Sequence, residues 1–215
     1  MDKRTFLKYT GLGLGGAGLL WGLDRSRLGK APNPYLEGNY APVKTLISED
    51  RLSVVGEIPR ELSGLYLRNG PNPMSSVNNK KHHWFAGEGM LHGLRIDEGK
   101  ALWYRNQSVG NANTHVISHG GKIYATVEAG AAPVEVDKDL MPTGNDAFNG
   151  TLTSGFSAHA KLDKENGELH ALCYQFPRGS YQVDHVVVGQ GGHVQKTQSI
   201  DLPSQTMLHE CAITN

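Results

Sequence analysis

Two histidines in matching surroundings carry the strongest chemical signal in this 215-residue chain. His159 lies in GFSAHAKLD (155–163) and His209 in MLHECAIT (207–214), 50 residues apart. That interval is about the length of one β-propeller blade. Side chains at equivalent places in successive blades point toward a common axis, where imidazole nitrogens can converge on a metal ion. The sequence ends at Asn215, six residues after His209. The expectation is therefore a central metal site of which this chain carries only a part.

The elements that must hold the pair are short strands separated by turn residues. GLYLR (64–68) alternates apolar and polar positions and runs into the breaker NGPNP (69–73). Met90–Ile96 and Ala101–Asn106 flank Asp97-Glu98-Gly99-Lys100, a hairpin by its turn chemistry. Thr114–Ser118 and Lys122–Val127 flank His119-Gly120-Gly121 in the same way. Ala158–Leu162 pairs with Leu169–Tyr174 across Asp163–Gly167, and Tyr181–Val188 with Val194–Ile200 across Gly189–Gly192. No stretch after the leader keeps a 3.6-residue apolar period over a long window. Repeated hairpins imply an all-β sandwich, barrel or propeller, and their recurrence over several tens of residues favours a partial β-propeller of three or four blades.

Composition removes some functions. Lys plus Arg and Asp plus Glu both number 21, so no charge excess points to nucleic acid or to a strongly acidic partner. Cys173 and Cys211 are too few for a disulfide framework. The leader, 1–30, differs from the rest. Lys3-Arg4 precede an apolar run from Gly11 to Leu23, which fits a signal sequence and is too short for the roughly 20 residues of a membrane span. The basic pair before Phe6-Leu7-Lys8 resembles a twin-arginine export signal with lysine in place of the first arginine. The alternative is a cytoplasmic or membrane-peripheral protein with an amphipathic leader. Gly11–Gly16 also matches GxGxxG, but no strand precedes it and no βαβ pattern follows, which excludes a dinucleotide site there.

Five ordered segments resemble the signatures of the carotenoid cleavage oxygenases: NGPNP (69–73), HHWFAGEGMLHGLRI (82–96), NTHVISHGGKIYATVE (113–128), GFSAHAKLDKENGEL (155–169) and SIDLPSQTMLHECAIT (199–214). The resemblance covers residues 31–215 and implies the N-terminal blades of a seven-bladed propeller. It implies Fe(II) held by four histidines, with His159 matching the first and His209 the second; the other two lie in the family's C-terminal half. Glu128 matches a glutamate that accepts a hydrogen bond from a ligand imidazole. The implied reaction is cleavage of a conjugated double bond of a carotenoid or apocarotenoid by O2, giving two carbonyl products, with a stilbene-type substrate as the variant within the family. Carotenoids dissolve in membranes, so association with a membrane surface is also implied.

Rival readings accompany these. His82, His83, Glu88 and His92 could suggest a zinc site. His115, His119, His170, His185 and His193 read as exposed histidines near turns, and Trp84 and Phe85 as core aromatics. The family commonly has Asp-Phe where this chain has Glu210-Cys211. On a regular strand, Cys211 shares the face of His209 and lines the cavity. The alternative to an enzyme is a truncated, non-catalytic propeller fragment or a pigment- or lipid-binding module.

Overall fold

The computed structural model describes residues 33–144, 147–174 and 181–214. It falls into two compact units. The first comprises the described residues of Met1–Ala41 together with Asn78–His82. Here the Asn33 carboxamide oxygen caps a 3-10 turn, Pro34–Leu36, by accepting from the Tyr35 amide. Its Nδ2 donates to the carbonyls of Asn79 and His82, both at 2.8 Å. A second turn, Gly38–Tyr40, follows. No helix among the described residues is long and apolar enough to cross a membrane.

The second unit carries every described strand, in three four-stranded antiparallel sheets. Sheet one has the order β1 (Ser48–Glu49), β4 (Lys100–Ser108), β3 (Gly89–Asp97), β2 (Gly64–Pro71). Sheet two is the meander β5 (His115–His119), β6 (Lys122–Thr126), β7 (Val134–Val136), β8 (Pro142–Gly144). Sheet three is the meander β9 (Lys161–Leu162), β10 (Leu169–Cys173), β11 (Gln182–Val188), β12 (Val194–Asp201). Each sheet is one propeller blade, so the all-β partial propeller expected from the hairpin repeat is the fold observed.

Turn chemistry explains the tight hairpins. Glu98 and Gly99 have φ of 44° and 75°, and Gly120 and Gly121 have 57° and 77°. Positive φ at both central residues is the turn that matches strand twist. The expected breaker at 69–73 does not stop β2, which continues through Asn69-Gly70-Pro71. β2 is an edge strand, where proline removes no hydrogen bond that an inner strand needs. Strands β1, β7 and β8 are only 2–3 residues long, too short to leave a periodic signal.

The apolar cores lie between blades. Leu91, Val109, Ala112, Ala125, Val136 and Leu140 pack sheet one against sheet two. Tyr124, Phe148, Phe156, Leu169, Ala171, Cys173, Val186 and Val188 pack sheet two against sheet three. Neighbours Tyr124 and Ala125 belong to opposite cores and both are fully buried. Alternation along β6 sends them to opposite faces, and a blade between two others has no solvent face.

Turns also lock the blades. His119, expected exposed, is buried, and its Nε2 lies 2.8 Å from the Gly189 carbonyl of the third blade. A Cβ on Gly120 would come within 2.7 Å of Gly192 Cα, so the two turns need glycine to approach this closely. His170 and His185, also expected exposed, are half-buried neighbours with Nδ1 and Nε2 3.1 Å apart. His193 is exposed, as expected. Trp84 and Phe85 lie against each other with ring centroids 5.9 Å apart and planes tilted by 33°, but they are 42% and 73% exposed, so they are not core aromatics.

Candidate metal centre

The chain around His159 is shaped by backbone contact with the segment after β6. A Cβ on Gly155 would lie 2.0 Å from the Gly130 carbonyl oxygen, so only glycine allows this approach. The Phe156 amide donates to the Ala131 carbonyl at 3.1 Å, and the Thr126 hydroxyl donates to the Ala158 carbonyl at 3.2 Å. These contacts bring Glu128, two residues past β6, against the turn that carries His159. That turn was expected to be strand from Ala158, but only Lys161–Leu162 form strand.

His209 comes from the segment after β12, which was expected to be strand and is not. Lys161 and Glu210 form an ion pair that fastens it beside β9. The Cys211 thiol faces the Leu172 backbone amide of β10. With no strand at 207–214, alternation does not put Cys211 on the face of His209. Cys173 is buried, and burial pushes its thiol up to about 12, with the Asp184 and Glu128 carboxylates adding to the rise.

Among the described residues, Glu128, His159 and His209 form the one group of three or more potential ligands with donor atoms within 4.8 Å of one another. The His159 and His209 rings stack at 4.6 Å with 25° between planes, and His159 also stacks on His115 at 5.4 Å and 29°. Glu128 and His159 are half-buried, and His209 is exposed. Burial, then His209 and His115, lowers the His159 pKa, which favours the neutral imidazole that a metal requires. Burial raises the Glu128 pKa. His209 and the Ala158 backbone oppose that rise, yet both carboxylate oxygens are buried with no hydrogen-bond partner among the described residues. The expected hydrogen bond from a ligand imidazole to Glu128 is therefore not made here. An orphaned buried carboxylate beside two imidazoles suits a cation, because an unpaired buried charge is costly.

Among the described residues, the rival histidines do not figure in a group of potential metal ligands. His82 belongs to the first unit. Both Glu88 oxygens are engaged, by the Met74 amide and the Ser75 hydroxyl, each at 3.1 Å. His92 Nδ1 lies 2.7 Å from the Tyr104 hydroxyl. His115 was missed as a site residue. The motif NTHVISHGG places it next to a strand start, but only the fold brings it to His159.

Antiparallel four-stranded blades packed face to face define a β-propeller, and proteins of similar sequence and structure show its family. The profile of the family described as retinal pigment epithelial membrane protein matches residues 40–110 and 105–215. A carotenoid cleavage oxygenase of Mycobacterium tuberculosis is 38% identical over 218 residues, covering 90% of this chain and 43% of the relative. The carotenoid 9,10(9',10')-cleavage dioxygenase 1 of Pisum sativum is 30% identical, covering 85% and 43%. The crystal structure of Pseudomonas brassicacearum lignostilbene dioxygenase superposes with a TM-score of 0.74 at 23% identity, over 82% of this chain and 44% of that one. Cobalt-substituted Synechocystis apocarotenoid oxygenase does so with a TM-score of 0.65 at 19% identity, over 80% and 45%. The chain belongs to this carotenoid oxygenase family, and it spans less than half the length of the relatives it matches.

Proposed function

We propose that this chain supplies part of the active site of an Fe(II)-dependent dioxygenase that cleaves a conjugated double bond of a carotenoid or apocarotenoid. The observation that carries the reading is the convergence of His159, His209 and the orphaned Glu128 carboxylate on one point. Two neutral imidazoles suit Fe(II) and leave room for further ligands and for O2. When bound, the iron would activate O2 for cleavage of the double bond. The chain's own residues would orient and insulate. His159 and His209 hold the metal. Glu128 stands behind them, offsets the ion's positive charge, and holds the ring orientation once a ligand imidazole turns an N–H toward it. Cys211 is a candidate for the wall of the substrate tunnel. Names of relatives support the substrate class: carotenoid cleavage oxygenases act on carotenoids, and the lignostilbene dioxygenase makes a stilbene the alternative.

The test is anaerobic loading of the purified chain with Fe(II), metal analysis after desalting, and incubation with an apocarotenoid under O2. Stoichiometric iron with aldehyde products supports the reading. Folded protein that retains no iron overturns it in favour of a truncated, non-catalytic propeller fragment or a pigment- or lipid-binding module.

Glu128→Gln should have opposite effects on the two states. Metal affinity should fall roughly 10–100-fold, the usual cost of losing a residue that supports the ligands. The metal-free protein should melt higher, because the amide removes an unpaired buried charge. Thermal melts with and without metal check this, and a lower metal-free midpoint contradicts the placement of Glu128.

Residues 1–30 lie outside the described residues, and the proposed role for them is twin-arginine export, placing the enzyme in the periplasm or at a membrane surface. A folded fluorescent reporter fused to 1–30 should be exported, and Arg4→Gln should stop it. Retention of the unaltered fusion in the cytoplasm would overturn the assignment.

A further inference from the structure

Among the described residues, His115 is in ring contact with the candidate centre and has no part in the proposed reaction. It opens β5, and its register partner on β6 is Thr126. Thr126 is fully buried, and its hydroxyl holds the Ala158 carbonyl next to His159. The His115 backbone is fixed in turn, because Asn69 Nδ2 donates to its carbonyl at 3.0 Å and to that of Ala112 at 2.7 Å. The His115 imidazole stacks on the His159 ring, which also stacks on His209. One cross-strand pair of the second blade therefore contacts the His159 turn twice, through its backbone and through its ring. His115 does not belong to the group whose donor atoms lie within 4.8 Å of one another, and its ring contact is with His159.

We propose that His115 is a positioning residue whose ring stacks on His159 and holds that imidazole at the angle a metal ion requires. Thr126 fixes the height of the same turn. The chemistry supports this division. His159 sits in a turn with no strand pairing, so no ladder hydrogen bonds fix it, and a ligand ring free to rotate binds a metal more weakly. An aromatic face packed against it limits that rotation without donating a lone pair. The inference rests on the reading of His159 as a ligand.

The test is titration of the metal-free full chain with Co(II), followed by visible absorption, for the natural protein and for His159→Ala, His115→Ala and His115→Phe. The natural protein should bind one Co(II) with a defined ligand-field band, and His159→Ala should lose it. His115→Ala should bind roughly tenfold more weakly, the low end of the cost of losing a supporting residue, and shift the band. Its metal-free melting temperature should be unchanged, because the side chain is exposed. His115→Phe should restore affinity and band, since the stacked face is retained. Loss of binding in both His115 variants would overturn positioning and make His115 a ligand. Binding by His115→Ala equal to the natural protein would overturn it with His159 still a ligand. Co(II) binding unaffected by His159→Ala, or no binding by any variant, would overturn the ligand reading together with this inference.

Discussion

His159→Ala is expected to abolish iron retention by the chain. The substitution removes one of the two imidazoles and leaves Glu128 and His209 as the remaining members of the group. Loss of a ligand should exceed the roughly 10–100-fold cost of losing a residue that only supports one. The measurement is iron per chain after anaerobic loading and desalting, with His193→Ala as control. His193 is exposed and its Nδ1 contacts only its own turn at Gly191, so that variant should retain iron normally. Folding should be nearly unaffected in His159→Ala, because the backbone contacts that build the turn use Gly155, Phe156 and Ala158. Iron retention equal to the natural protein would remove His159 from the centre.

The largest effect on stability is expected at Phe148. Its ring is fully buried between Tyr124 at 4.6 Å and Phe156 at 4.8 Å. Truncation to alanine in a core of this kind costs about 3–5 kcal/mol. For a chain of this size that lowers the melting temperature by roughly 6–20 °C. Phe148 also holds a φ of 55°, unusual for a bulky residue, so the aromatic trio maintains a strained backbone there. Alanine keeps the strain and loses the packing. The same trio reaches the candidate centre, since Tyr124 lies four residues before Glu128 and Phe156 three before His159. Phe148→Ala should therefore weaken Co(II) binding as well as lower the denaturant midpoint. A loss of unfolding free energy below about 1 kcal/mol would show that the inter-blade core does not depend on this ring.

Much of the centre was legible as sequence. The motifs GFSAHAKLD and MLHECAIT singled out His159 and His209 by their one-blade spacing, the family resemblance of IYATVE singled out Glu128, and the fold brings these three side chains together. Hairpins were legible for a local reason: Glu98-Gly99 and Gly120-Gly121 demand positive φ whatever surrounds them. Local pattern failed where distant backbone decided the outcome. Ala158-His159 and the residues around His209 read as strands, yet neither has a partner strand, because pairing requires a neighbour that no window of sequence reveals. Cys211 lost its expected face for that reason.

The sequence by itself determined the all-β character, the hairpin register and the residue types able to hold a metal, since these follow from periodicity, turn stereochemistry and ligand chemistry within short windows. Only the tertiary structure decided which histidines matter together. His115, His119 and His170 look alike in the sequence, each in or beside a hairpin. Blade-on-blade packing sends His115 onto His159 and buries His119 against Gly189, while the β10–β11 register within one blade pairs His170 with His185. That sorting depends on contacts between residues 15 to 70 positions apart, where close packing of rigid sheets, not local preference, sets the distances.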